Sequence, residues 1–199
     1  SIWSSKSNAI FIGDSIIKNL CYYEDIWNGY FGNKGFTNCG IGGDHIENVL
    51  WRVKNLDFPN TVSFVLLQCG TNNLTKDSPI DIVNGILSIG VDILDRFEKI
   101  SVLITGILPR ESKTSSKRNI IDYVNSRLEK FCKENAGFYY VDVSEGWTES
   151  SGNLNEKLFI NDKLHLTKAG NEKLAMKMTK SINNLPSKKT IKEKTLPTL

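Results

Sequence analysis

Five short apolar runs, at 9–12, 35–39, 62–69, 101–107 and 138–143, alternate along the chain with longer segments of helical spacing. Ile46, Val49, Leu50 and Val53 fall at i, i+3, i+4 and i+7, as one face of a helix requires. Residues 79–98 repeat this with Ile82, Ile86, Ile89, Ile93 and Phe97. Ile120, Val124, Leu128 and Phe131 mark a further helix, and Leu174, Met178 and Ile182 the last. Strands that are nearly continuous in apolar residues are buried on both faces, and helices between them cover both sides of a parallel sheet. The alternation therefore predicts an α/β fold, a three-layer α/β/α sandwich on a five-stranded parallel sheet. A chain of 199 residues is long enough for one such domain.

Sheets of this kind bind ligands beyond the carboxyl ends of their strands. The first four ends carry GDS, CGIGGD, CGTNN and TGILPR, and glycines with polar neighbours recur there. Ser15 stands where the first strand hands the chain to a helix. That position suits a nucleophile, and it equally suits a helix cap. Asp14 reads as an acid that braces this turn, and Asn73 as a turn residue. Gly43 leaves its backbone N–H open to approach, and Asn72 offers a side-chain amide. With the Ser15 N–H they form a candidate oxyanion hole. Each residue alone also fits an ordinary turn.

A serine nucleophile needs a base, and the chain has two histidines. His165 has Asp162 three residues before it, a spacing at which a carboxylate on a turn can hold one ring nitrogen and leave the other free. His45 follows Asp44 directly, and it reads as a cap neighbour or a pocket-rim residue at a helix start. A nucleotide loop is a poor reading of GIGG, because the sixth position counted from Gly40 is His45 and no G-K-[ST] occurs.

Of 25 basic and 22 acidic residues, four lysines and one acid lie beyond Pro186, which leaves the body neutral. A neutral body argues against a nucleic-acid-binding surface, so no nucleic-acid partner is expected there, while the Lys-rich tail could touch phosphates. The tail, residues 185–199, is expected to be a disordered linker after a domain of residues 1–184. Cys21, Cys39, Cys69 and Cys132 show no metal-ligand spacing and read as free thiols of a reducing, cytoplasmic compartment. No run reaches the roughly 18 apolar residues of a membrane span. The chain opens on Ser1 rather than Met, and the expectation is a domain taken from a longer protein.

The set GDS, GIGGD, GTNN and DKLHLT, in this order from about Asn8 to about Asn183, resembles the SGNH (GDSL-type) hydrolases. The four residues that name the family fall on Ser15, Gly43, Asn72 and His165. The stretch NCGIGGDHIENVLWRVKN, with GTNN, ILPR and LHLT, is similar to the catalytic subunits of intracellular platelet-activating-factor acetylhydrolase. This resemblance implies a flavodoxin-like sheet, a Ser15–His165–Asp162 triad, and an oxyanion hole from Ser15, Gly43 and Asn72. It implies a serine esterase for short, acetyl-type esters, lipid esters among them, with neither metal nor organic cofactor. A homodimer is left open. The chain also resembles the esterase domain in the first open-reading-frame protein of LINE-type retrotransposons, an origin that the missing start methionine, the Lys-rich tail and the Asn-, Ile- and Lys-rich wording suit. This second resemblance keeps open a module used mainly for binding lipid membranes or RNA-associated partners. His45 stands where the acetylhydrolases carry a small hydroxyl residue, and His45 and Asp14 are thus candidates for the substrate pocket.

Overall fold

A computed structural model describes residues 7–97 and 99–185. Strands β1 (Ala9–Gly13), β2 (Phe36–Gly40), β3 (Phe64–Gln68), β4 (Ser101–Thr105) and β5 (Phe138–Val141) form one sheet in the order β2-β1-β3-β4-β5. Every pairing is parallel. Helices α1 (Ser15–Asn19), α2 (Glu24–Tyr30), α3 (Ile46–Asn55), α4 (Pro79–Arg96), α5 (Ser116–Glu134) and α6 (Lys168–Asn183) connect and cover them. The expected three-layer arrangement is what the chain adopts.

Alternate residues of each strand feed opposite cores, as the two-residue period of a strand requires. Ile10, Ile12, Val65, Leu67, Val102 and Ile104 pack with the buried faces of α3, α4 and α5. Ala9, Phe11, Phe64, Leu66 and Leu103 pack on the other side with α1, α2 and α6. The apolar runs exceed the ladders at some ends: Val62, Cys69 and Ile107 lie outside the paired strands yet are buried. Run length reports burial here, not pairing.

Two helices differ from expectation. The buried stripe of α5 is Ile121, Val124, Leu128 and Cys132, and Ile120 and Phe131 are only partly buried at its flanks. Cys132 supplies the apolar position that the expected face assigned to Phe131. Helix α2 has no periodic signal, since Ile26 is its one buried residue. It is held by aromatic contacts instead, with Phe11 against Trp27 at 5.7 Å and Phe31 at 4.8 Å between ring centroids.

The register decides where the loops emerge. Gly13 lies opposite Gly40 on one side and Gln68 on the other, so β1, β2 and β3 end level and their loops leave side by side. The chain order reverses across β1, which opens a crevice at that switch point. Gly13 is needed there, because a Cβ on it would lie 1.8 Å from the carbonyl oxygen of Gln68. No helix among the described residues is long and apolar enough to cross a membrane. The basic stretch from Pro186 onward, expected to be a disordered tail, lies outside the described residues.

Candidate active site

Helix α1 begins at Ser15 because Asp14 caps it. The Asp14 backbone is extended, and its Oδ1 accepts the Ile16 N–H at 2.9 Å. This puts Ser15 on the first turn, above the tip of β1, where it is 8% exposed. The opposing group comes from the segment between β5 and α6, which doubles back on itself. The Thr167 N–H donates to the Leu158 carbonyl at 3.0 Å, and the Ile160 N–H to the His165 carbonyl at 2.9 Å. Trp147, fully buried, anchors the same segment and meets Phe159 edge to face.

Within that turn, Asp162 Oδ1 accepts the backbone N–H groups of Leu164 at 3.0 Å and His165 at 2.9 Å. Its Oδ2 lies 2.6 Å from His165 Nδ1, and His165 Nε2 lies 2.8 Å from Ser15 Oγ. An ionised carboxylate can only accept, so the ring proton belongs on Nδ1 and the lone pair of Nε2 faces the serine hydroxyl. Partial burial pushes the Asp162 carboxyl up, but the hydrogen bonds from the His165 ring and the two backbone N–H groups outweigh it and hold the group below its ordinary range. Asp162 is therefore ionised wherever His165 works as a base.

The neighbouring loops are braced by side chains from several elements. Gly43 has φ +81°, the left-handed region that favours glycine. The next residue, Asp44, accepts the Asn72 side-chain N–H on its carbonyl at 2.8 Å, which ties the loop after β2 to the loop after β3. Arg52 reaches from α3 to the carbonyls of Cys39 at 2.7 Å and Gly13 at 3.0 Å, and it pairs with Asp44 Oδ2 at 2.6 Å. Asn73, buried, accepts the Ile46 N–H at 3.0 Å and donates to Asp77 Oδ2 at 2.6 Å. Arg52 thus ties the ends of β1 and β2 together, and Asn73 ties the loop after β3 to the start of α3. Sequence reading gave Arg52 no role, since an arginine in the last turn of a helix ordinarily faces water. Its contacts exist only once β1 and β2 stand side by side.

Ser15, Gly43, Asn72 and His165 line one open cleft of about 500 Å³, with Asp162 behind the ring of His165. The two pocket candidates, Asp14 and His45, are not among its lining residues. Asp14 is buried beneath Ser15 and faces a small void with Gln68 and Thr71. His45 is the N-cap residue of α3, its backbone N–H donating to Asn48 Oδ1 at 2.9 Å. Among the described residues, no group of three or more His, Cys, Asp or Glu side chains is placed to hold a metal ion.

Burial pushes the Asp14 carboxyl up to about 7, against which the Ile16 N–H and the nearby His165 act only partly. The folded chain thus binds this proton more tightly than the unfolded chain does. Its contribution to stability is present at acid pH and is lost as pH rises towards and through 7. Asp14→Asn keeps an acceptor for Ile16 and removes the titration. The variant should gain stability relative to the wild type between pH 5 and pH 8, by a few kcal/mol at most. Thermal melts of both proteins across that range check this; a constant difference would contradict it.

Comparisons with known proteins bear on the family and the fold. Residues 11–173 match the model of a family described as GDSL-like lipase/acylhydrolase. The chain is 31% identical over 180 residues to platelet-activating factor acetylhydrolase IB subunit alpha2 of Rattus norvegicus, covering 89% of this chain and 77% of that protein. Among solved structures, a GDSL-like lipase from Bacteroides thetaiotaomicron superposes with a TM-score of 0.76 at 20% identity, covering 90% of this chain and 88% of that one. An acetyl-xylooligosaccharide esterase from Geobacillus gives 0.71 at 15% identity, covering 93% and 98%. At such identities the last two share the fold alone.

Proposed function

The chain belongs to the GDSL-like lipase/acylhydrolase family and is a carboxylic ester hydrolase, and on that premise we propose that it cleaves short-chain, acetyl-type esters through Ser15, His165 and Asp162. The observation that carries this reading is the unbroken chain of contacts from Asp162 through His165 to Ser15, 2.6 and 2.8 Å long. His165 Nε2 takes the Ser15 proton as Oγ attacks the ester carbonyl. The Ser15 and Gly43 N–H groups and the Asn72 amide hold the oxyanion. His165 then gives the proton to the leaving alcohol, and a water repeats the cycle to release the acid. Asp162 keeps the ring in the right tautomer and offsets its charge throughout.

The acetyl preference is drawn from the similar acetylhydrolase subunit, and the open cleft is compatible with lipid or soluble alcohols. We take the hydrolase domain to be residues 1–184, α6 ending at Asn183. We place its action inside the cell, since Cys21, Cys39, Cys69 and Cys132 are all unpaired.

Hydrolysis of p-nitrophenyl esters of increasing acyl length tests the proposal. Turnover should be highest for acetate and fall as the chain lengthens; a maximum at long chains would overturn the acetyl preference. Asn72→Ala should lower kcat by about 10²–10³-fold on the best ester, the usual cost of one lost oxyanion donor. The same substitution breaks the contact to Asp44, so a melting curve accompanies the rate. Near-normal turnover would remove Asn72 from the oxyanion hole.

A further inference from the structure

Lys18 follows Ser15 by about one turn of α1 and lines the same cleft. Its ammonium lies over the loop that carries Gly43, since a Cβ placed on Gly42 would sit 3.7 Å from Lys18 Nζ. Among the described residues, no carboxylate lines the cleft. The carboxylates around it are matched elsewhere: Asp162 to His165, Asp44 to Arg52 and Asp25 to Lys168. Asp14 is buried beneath the serine and turned from the cleft. Among the described residues, Lys18 has no ion-pair partner. The rim beyond it is apolar, with Tyr22 67% and Ile160 46% exposed. The cleft mouth therefore carries a positive charge without an ion-pair partner among the described residues, a helical turn from the nucleophile and with no acid among the lining side chains. A group of opposite charge on the substrate would meet it without displacing any internal pair.

We propose that Lys18 makes the enzyme selective for acyl esters that carry an anionic group, a phosphate or a carboxylate, close to the scissile bond. This rests on the esterase reading above and adds to it the charge of the substrate. A single ammonium at a solvent-facing site interacts with an anion a few ångströms away strongly enough for about a tenfold preference, and salt weakens it. The remote contact orients the ester over Ser15, so the gain falls on kcat/KM.

The test is a matched pair of acetyl aryl esters, 4-acetoxybenzoate and its neutral methyl ester. Values of kcat/KM are taken at low ionic strength and divided by each ester's hydroxide-catalysed rate. The wild type should favour the anion about tenfold, and 0.5 M salt should shrink this. Lys18→Gln should bring the ratio to about one, and Lys18→Glu should invert it. Lys18 is exposed, so neither change disturbs the core. A second arm presents an acetylated lysophosphatidate and its uncharged glyceride counterpart in neutral detergent micelles. A preference in both arms assigns a lipid headgroup as an acceptable anion source, and one confined to the soluble pair assigns small anionic esters. A wild-type ratio near one in both arms, or a ratio that Lys18→Gln leaves unchanged, overturns the proposal while the esterase reading stands. If neither ester is hydrolysed in a Ser15-dependent way, both readings fall together.

Discussion

Ser15→Ala is expected to lower kcat for p-nitrophenyl acetate by about 10⁴–10⁶-fold, the range that loss of the nucleophile costs in serine hydrolases. The fold should not notice. Ser15 is buried at the start of α1, but its Oγ is bonded to His165 alone among the described residues, while Asp14 performs the capping. Removing Oγ thus deletes the attacking atom and leaves the helix start intact. The oxyanion donors and the cleft survive, so residual rate above that of water is expected and KM should change little. Rates and melting curves for the two proteins decide it. A variant that retains a tenth of the wild-type rate would mean that Ser15 does no covalent work.

The second large effect is on Asp162→Asn, where a loss of about 10⁴ in kcat is expected from the behaviour of serine triads in general. The substitution is nearly isosteric, and Asn Oδ1 can still accept the Leu164 and His165 N–H groups that Asp162 Oδ1 accepts now. What changes is the atom 2.6 Å from Nδ1, which becomes an NH₂ donor. The ring must then present a lone pair on Nδ1 and its proton on Nε2, so it donates to Ser15 Oγ when it should accept from it. The loss is one of tautomer and not of structure. Asp162→Ala, which also frees the two backbone N–H groups, should loosen the 158–167 turn and lower the melting temperature as well. An Asn variant within tenfold of the wild type would reduce Asp162 to a turn residue.

Much of this arrangement is legible in the sequence because it is carried by local chemistry. The five apolar runs become the five strands, but continuous burial accounts for the central β1, β3 and β4 alone; the edge strands β2 and β5 are partly buried, and β2 carries Thr37 and Asn38. The strand tips are readable because a glycine such as Gly13 meets a neighbouring carbonyl with no room for a Cβ. The elements that escaped are those fixed from a distance. Helix α2 holds through Phe11 and Phe31, which its own spacing does not announce. Arg52 joins β1, β2 and Asp44, contacts that span up to 39 residues of sequence. His45 reads from the sequence as a cap neighbour or a pocket-rim residue, and its place at the N-cap of α3 matches the first of these. Lys18 shows its place in the cleft only when the loop with Gly42 folds over α1.

The most direct test of the central claim is to treat the protein with a fluorophosphonate and locate the adduct by peptide mass spectrometry. The account predicts one stoichiometric phosphonyl group on Ser15, formed far more slowly in His165→Ala and absent from Ser15→Ala. No adduct, or an adduct on another serine in the folded protein, would contradict it.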